Sequence, residues 1–167
     1  MAAPLTFPTR VHAQQKPLVL PPKWYAVQVA DEAFTVEMPG IPDHRVVNDV
    51  TQRGTAFALH SYSLEAGGYS YVVQTALYPG DVDVSDPRRL LQAALDERAK
   101  ILEGGRWSKV DWRNISGSTA AESMGSLKGG NALRLLMLLK GRRLVSLAFM
   151  GTAAAEAERF FKSLKMK

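Results

Sequence analysis

Ser123 sits in Ala121-Glu122-Ser123-Met124-Gly125, the A-x-S-x-G form of a nucleophile elbow, in which a strand-to-helix turn presents a serine hydroxyl to a histidine base. The surroundings do not supply the rest of that chemistry. An elbow needs a helix directly after the serine, whereas residues 126–136, SLKGGNALRLL, read as a turn and a strand. The chain order of such triads also needs a later histidine, and the last one is His60. Ser123 therefore reads as a small polar strand residue.

The run DVDVSD places Asp81 and Asp83 at alternate positions with Asp86 close behind, a spacing of oxygen ligands that could begin a Ca²⁺ or Mg²⁺ loop. No glycine stands at its sixth place, and Gln92 stands where such a loop needs a glutamate at the twelfth. Ser85 and Asp86 suit the cap of a helix beginning at Pro87 instead. His12, His44 and His60 lack the spacing of a metal site, and His60 reads as a polar strand residue beside Tyr62. The glycine pairs at 67–68, 104–105 and 129–130 match neither phosphate-cradling fingerprint and read as turns. With no cysteine in the chain, thiol nucleophiles, thiolate metal sites and disulfides are all excluded. The expectation is a protein with no catalytic residue, no cofactor and no metal ligand set.

The elements that hold these residues fit one domain, since 167 residues can bury a sizeable core. Hydrophobic residues at 46% and charged residues at 22% are those of a soluble globular chain, and no run of 18 or more apolar residues is present. The net charge of +5 is spread along the chain without a basic block. It permits an acidic protein partner and disfavours nucleic acid. Residues 1–22 read as a proline-rich tail ahead of a domain spanning 23–167. Within that tail Val11-His12-Ala13 has the small-x-small form of a signal-peptidase site, although the segment before it lacks a basic region and an apolar core. The expectation is the remnant of an export signal, its true start lying upstream, and a periplasmic or secreted product. An ordinary disordered tail on a cytoplasmic protein is the alternative.

From Trp24 the pattern alternates, with Tyr25, Val27 and Val29 on one face, and the residues DEA at 31–33 turn it into Phe34, Val36 and Met38. Pro39 and Pro42 around Gly40 withhold backbone donors, which a strand end or sheet edge tolerates and a central strand does not. Alternating runs around 44–52, 55–64 and 69–79 then predict an antiparallel meander. A helix is predicted from Pro87 to Gly104, with Leu91, Ala94, Leu95, Ile101 and Leu102 on its apolar face. Two further strands precede a hairpin turning at Lys140 and Gly141, whose strands are apolar on both faces and demand cover on both. A closing helix with Ala157, Phe160, Phe161 and Leu164 at helical spacing supplies part of it. The predicted fold class is α+β, an antiparallel sheet covered by helices on its faces in an α/β/α sandwich.

This order of elements resembles the PsbP-like fold family, which includes an extrinsic subunit of photosystem II and a Ran-binding nuclear-import factor. The resemblance rests on FTVEMPGIP, the meander, the DPRRLLQAALDERAKILEGG helix, ESMGSLKG, RRLVSLAFMG and the AERFFKSLKM helix. It implies a non-catalytic protein that works by docking, and it carries over no functional residue. The expected function is an exported interaction or accessory module with a protein partner. A small periplasmic hydrolase or ligand-binding protein is the alternative. The candidate interaction surface is the group Tyr62, Tyr69, Tyr71 and Tyr78, which flanks one hairpin turn.

Overall fold

A computed structural model describes residues 22–167 of the chain. Three two-residue strands come first: β1 (Tyr25–Ala26), β2 (Phe34–Thr35) and β3 (Glu37–Met38). They are followed by β4 (Asp43–Val50), β5 (Ala56–Ala66), β6 (Tyr69–Leu77) and the helix α1 (Pro87–Ala99). The second half comprises β7 (Lys109–Ile115), β8 (Ser118–Ser126), β9 (Ala132–Lys140), β10 (Arg143–Met150), the helix α2 (Ala154–Lys162) and β11 (Lys165–Met166). The seven long strands form one antiparallel sheet in the order β4-β5-β6-β10-β9-β8-β7, while β1 pairs with β3 and β11 with β2.

Five of the six joins in the large sheet are hairpins between strands consecutive in the chain. Gly67 and Gly68, both at positive φ (61° and 81°), make the tight turn from β5 to β6. The sixth join is long-range, β6 to β10, where Tyr71 faces Phe149 and Val73 faces Leu147. It fuses two meanders into one sheet, and the apolar hairpin β9–β10 lies beside it at the centre.

Each face of that centre has its own cover. On one side Leu91 and Leu95 of α1 pack on Leu135, Met137 and Leu144. On the other, Phe160 and Phe161 of α2 share a core with Tyr71, Phe149 and the N-terminal residues Val27, Phe34, Val36 and Met38. Asp86 starts α1 by accepting a hydrogen bond from the Arg89 amide at 3.0 Å, with Pro87 at the first helical position.

The expected α/β/α sandwich is not what forms. Strand makes up 49% of the described residues and helix 19%, with two helices against a seven-stranded sheet, so the architecture is mostly antiparallel β. The sandwich expectation extended to the whole sheet a demand that holds only at its centre. β9 and β10 are apolar on both faces, but all eight residues of β4 are exposed, and that end of the sheet requires no helix. Much of the cover beside α2 is extended chain rather than helix.

Both helices are also shorter than their apolar spacing implied. α1 stops at Ala99; Ile101 lies beyond it, 56% exposed, and Leu102 is buried through a bridge to Leu127. α2 stops at Lys162, leaving Leu164 outside it. There the Ser163 hydroxyl donates to the Phe160 carbonyl (2.7 Å) and accepts from the Glu37 amide (2.9 Å), and the next residues pair with Phe34 and Thr35. The first strand is likewise cut to Tyr25–Ala26, and the chain turns at Asp31 and Glu32, both at positive φ.

Truncating the fully buried Phe160 to alanine is expected to cost about 3–5 kcal/mol in urea denaturation, against under about 0.5 kcal/mol for Ile101→Ala. A loss below about 1 kcal/mol for Phe160→Ala would make α2 peripheral to the fold.

Candidate interaction surface

β4 becomes a strand because Val46, Val47 and Val50 favour extended backbone and Pro42 bars a helix before it. Thr51 closes its far end: the Thr51 amide donates to the Thr55 carbonyl at 2.9 Å, and its hydroxyl oxygen accepts from the amides of Thr55 (3.1 Å) and Arg53 (3.3 Å). The register between β4 and β5 is unbroken from Asp43↔Ser63 to Val50↔Ala56. Backbone groups alternate in direction along a strand, so the Thr51 bond fixes the parity of the whole edge. Odd-numbered groups of β4 point toward β5, and the amides and carbonyls of His44, Val46, Asn48 and Val50 point away from the sheet. Among the described residues no strand pairs with that outer edge. Val46, Val47 and Val50 are 52%, 54% and 61% exposed.

At the start of β4 the sheet brings together residues that are distant in the chain. His44 Nε2 lies 3.1 Å from His60 Nδ1, and the two rings are within 14° of parallel with centroids 5.3 Å apart. That separation is a head-to-head N–H···N contact in which one ring donates and the other accepts. On its other side the His44 ring stacks on Tyr62 at 4.3 Å, and the Tyr62 oxygen accepts from the Ala30 amide at 2.8 Å. An open cleft of about 440 Å³ adjoins this corner, lined by Tyr25, Gly40, Ile41, Pro42, His44 and Tyr62. Each imidazole commits one of its two ring nitrogens to this contact. Among the described residues no third His, Cys, Asp or Glu joins them in a metal-holding group.

The four tyrosines do not form one surface. Tyr62 and Tyr71 are each only 2% exposed. Tyr71 is a core residue, its ring edge-on to Trp24, Phe149 and Phe160 at centroid distances of 5.9, 5.2 and 5.4 Å. Tyr69 packs against Phe149 and fills the space over Gly151, where an added Cβ would lie 2.5 Å from its ring. Tyr78 lies on the opposite face with Phe57 and the α1 cluster.

The other residues singled out by type are engaged locally. Ser123 is fully buried in the middle of β8, its hydroxyl without a hydrogen-bond partner, and four strand spacings, roughly 19 Å, separate it from His60. Asp81 accepts from the Thr51 hydroxyl at 2.5 Å, a bond that holds its carboxyl below the usual carboxylate range. Asp83 accepts from Ser85 and from Arg89, and Asp86 caps α1. Their hydrogen-bonding oxygens serve separate partners. His12 and the Val11-His12-Ala13 pattern lie outside the described residues.

One charged cluster escaped the sequence reading. Glu122, 6% exposed, pairs with both Arg113 and Arg134, and Arg134 reaches on to Glu158 of α2 at 2.7 Å while lying over the Phe161 ring. Burial opposes the Arg134 charge, but its hydrogen bonds to Glu158 and Glu122 outweigh that and raise the guanidinium pKa. With every charge in it matched, the cluster ties α2 to the sheet. The Lys109–Asp111 pair (2.8 Å) and the Arg113–Glu122 pair likewise engage the charges of β7, the other edge strand. Arg45 and Asp49 of β4 have no ion pair among the described residues.

No family model, curated protein or solved structure matches the chain.

Burial pushes the Tyr71 hydroxyl up to about 12 from its ordinary 10.0. The folded state therefore keeps Tyr71 neutral while the unfolded chain ionises it, so its contribution is intact below pH 10.0 and is lost as pH rises toward about 12. Ultraviolet titration should show one tyrosine ionising near the upper value, and Tyr71→Phe should remove that late step. A late step that persists in Tyr71→Phe, with the lost amplitude falling near the ordinary 10.0, would place the buried tyrosine elsewhere.

Proposed function

We propose that the chain is a non-catalytic, exported interaction module that works by lending the outer edge of β4 to a partner strand. The observation that carries this reading is an eight-residue edge strand exposed at every position, with four outward sets of backbone groups and three exposed valines. Unpaired donors and acceptors on a flat edge recruit another strand by backbone hydrogen bonds, and the alternating side chains select which strand. The net charge of +5 permits an acidic protein partner, while β4 itself carries charges of both signs in Asp43, Arg45 and Asp49. Export is motivated by the Val11-His12-Ala13 pattern alone. The ligand-binding alternative is supported by the open cleft beside His44 and Tyr62. No helix of the described residues is long and apolar enough to cross a membrane.

A photo-crosslinking amino acid placed at Val46 in the native organism tests the reading, with Lys109 on the opposite edge as control, after periplasm is separated from cytoplasm. Polypeptide adducts at position 46 and few at 109, in the periplasmic fraction, are expected. Adducts absent at 46 would remove β4 as the interaction edge, and recovery of the protein in the cytoplasm would remove export.

A further inference from the structure

We infer that the strand received by β4 is β4 of a second copy of this chain, paired antiparallel about a two-fold axis through Val47. The inference rests on β4 being the interaction edge and adds the occupant and the register. Arg45 and Asp49 point to the same face but stand four residues apart along a strand, ~13 Å, too far to pair with each other. Antiparallel pairing about Val47 places Arg45 opposite Asp49 of the second copy, and the symmetry does so twice. Between these two ion pairs Val47 meets its own symmetry mate. On the other face His44 lies opposite Val50 and Val46 opposite Asn48.

The backbone agrees with that register. Strands pair antiparallel only when outward-facing groups meet outward-facing groups, and on β4 those belong to the even-numbered residues. The register about Val47 matches even with even, so that His44 with Val50 and Val46 with Asn48 exchange the hydrogen bonds. Arg45–Asp49 and Val47–Val47 become the non-hydrogen-bonded pairs, with Cα atoms about 4.5 Å apart and the closest side-chain contact. Moving the axis to Val46 sets Asp43 opposite Asp49, two like charges. Moving it to Asn48 leaves Arg45 opposite Thr51 and Asp49 opposite Val47. Only the Val47 axis neutralises both charges.

β4 is also poorly defended against pairing. It has no proline, lysine or bulge over its eight residues, three of the devices that commonly block an edge, and its charged residues are of both signs. In the single chain the Asp49 carboxylate accepts from the outward Val50 amide at 2.8 Å. Arg45 of a second copy would draw that carboxylate away and free the amide for the partner's His44 carbonyl. Two seven-stranded sheets would then run on as one.

Sedimentation velocity on the wild type, Arg45→Glu, Asp49→Arg and an equimolar mixture of the two variants tests this directly. Both positions are exposed, and thermal unfolding checks that each variant is folded. The wild type should sediment as a dimer. Each variant alone should place like charges in contact twice and raise the dimer dissociation constant roughly tenfold or more. The mixture should recover the wild-type dimer. In a mixed pair the carboxylate introduced by Arg45→Glu meets the guanidinium introduced by Asp49→Arg, and the native Asp49 of the first chain meets the native Arg45 of the second. A wild type that stays monomeric at about 0.1 mM, or a mixture no tighter than its components, overturns the self-pairing. If adducts still form at position 46 in that case, another polypeptide or the chain's own N-terminal residues occupy the edge, and the edge reading survives without the second copy.

Discussion

The ladder between β6 and β10 holds the two halves of this sheet together. Its two strands are separated by the whole of α1 and the β7–β9 meander, and their union closes the largest loop within the sheet. What makes that closure favourable is the side chains it aligns. Tyr71 meets Phe149 and Val73 meets Leu147 on one face, while Ala76 meets Leu144 on the other, all of them buried. A strand apolar on both faces is stable only with cover on both, so α1 and α2 take opposite sides. The N-terminal extended segment completes one side, and the Arg134 cluster anchors α2 where its Phe pair enters the core.

Burial then falls away toward β4. β6 still alternates buried and half-buried positions, β5 keeps one buried residue at Tyr62, and β4 keeps none. This asymmetry distinguishes the two edges. At β7, Trp112 lies under Arg88 of α1 and the strand's charges are paired. At β4, Arg45, Asp49 and three valines are exposed beside a backbone edge that no strand among the described residues pairs with. The same centre that requires covering thus leaves one margin ready to be extended.

Features governed by neighbours in the chain were legible in advance. Asp86 and Pro87 announced the start of α1, Gly67 and Gly68 the hairpin, and Pro39 and Pro42 the end of the first short strands ahead of an edge. Features set by distant partners were not. The stop of α2 depends on a serine whose hydroxyl is met by the Glu37 amide, 126 residues away. His44 and His60 meet only because β4 and β5 pair in one register, a fact that their spacing in the chain does not carry. Tyrosine serves a core and a margin equally well, so Tyr71 and Tyr78 could not be told apart by type. The sandwich expectation failed for a related reason: two apolar strands say that cover is needed somewhere, and not how far across the sheet it extends.

Amide hydrogen exchange along β4, measured residue by residue by NMR at low and high protein concentration, tests the account most directly. In dilute solution the amides of Arg45, Val47 and Asp49, bonded to β5, should be protected, while those of His44, Val46 and Asn48 exchange freely; at high concentration the second set should slow and the first change little. Protection of both sets in dilute solution, or free exchange of His44, Val46 and Asn48 that does not respond to concentration, would contradict an open edge that pairs with itself.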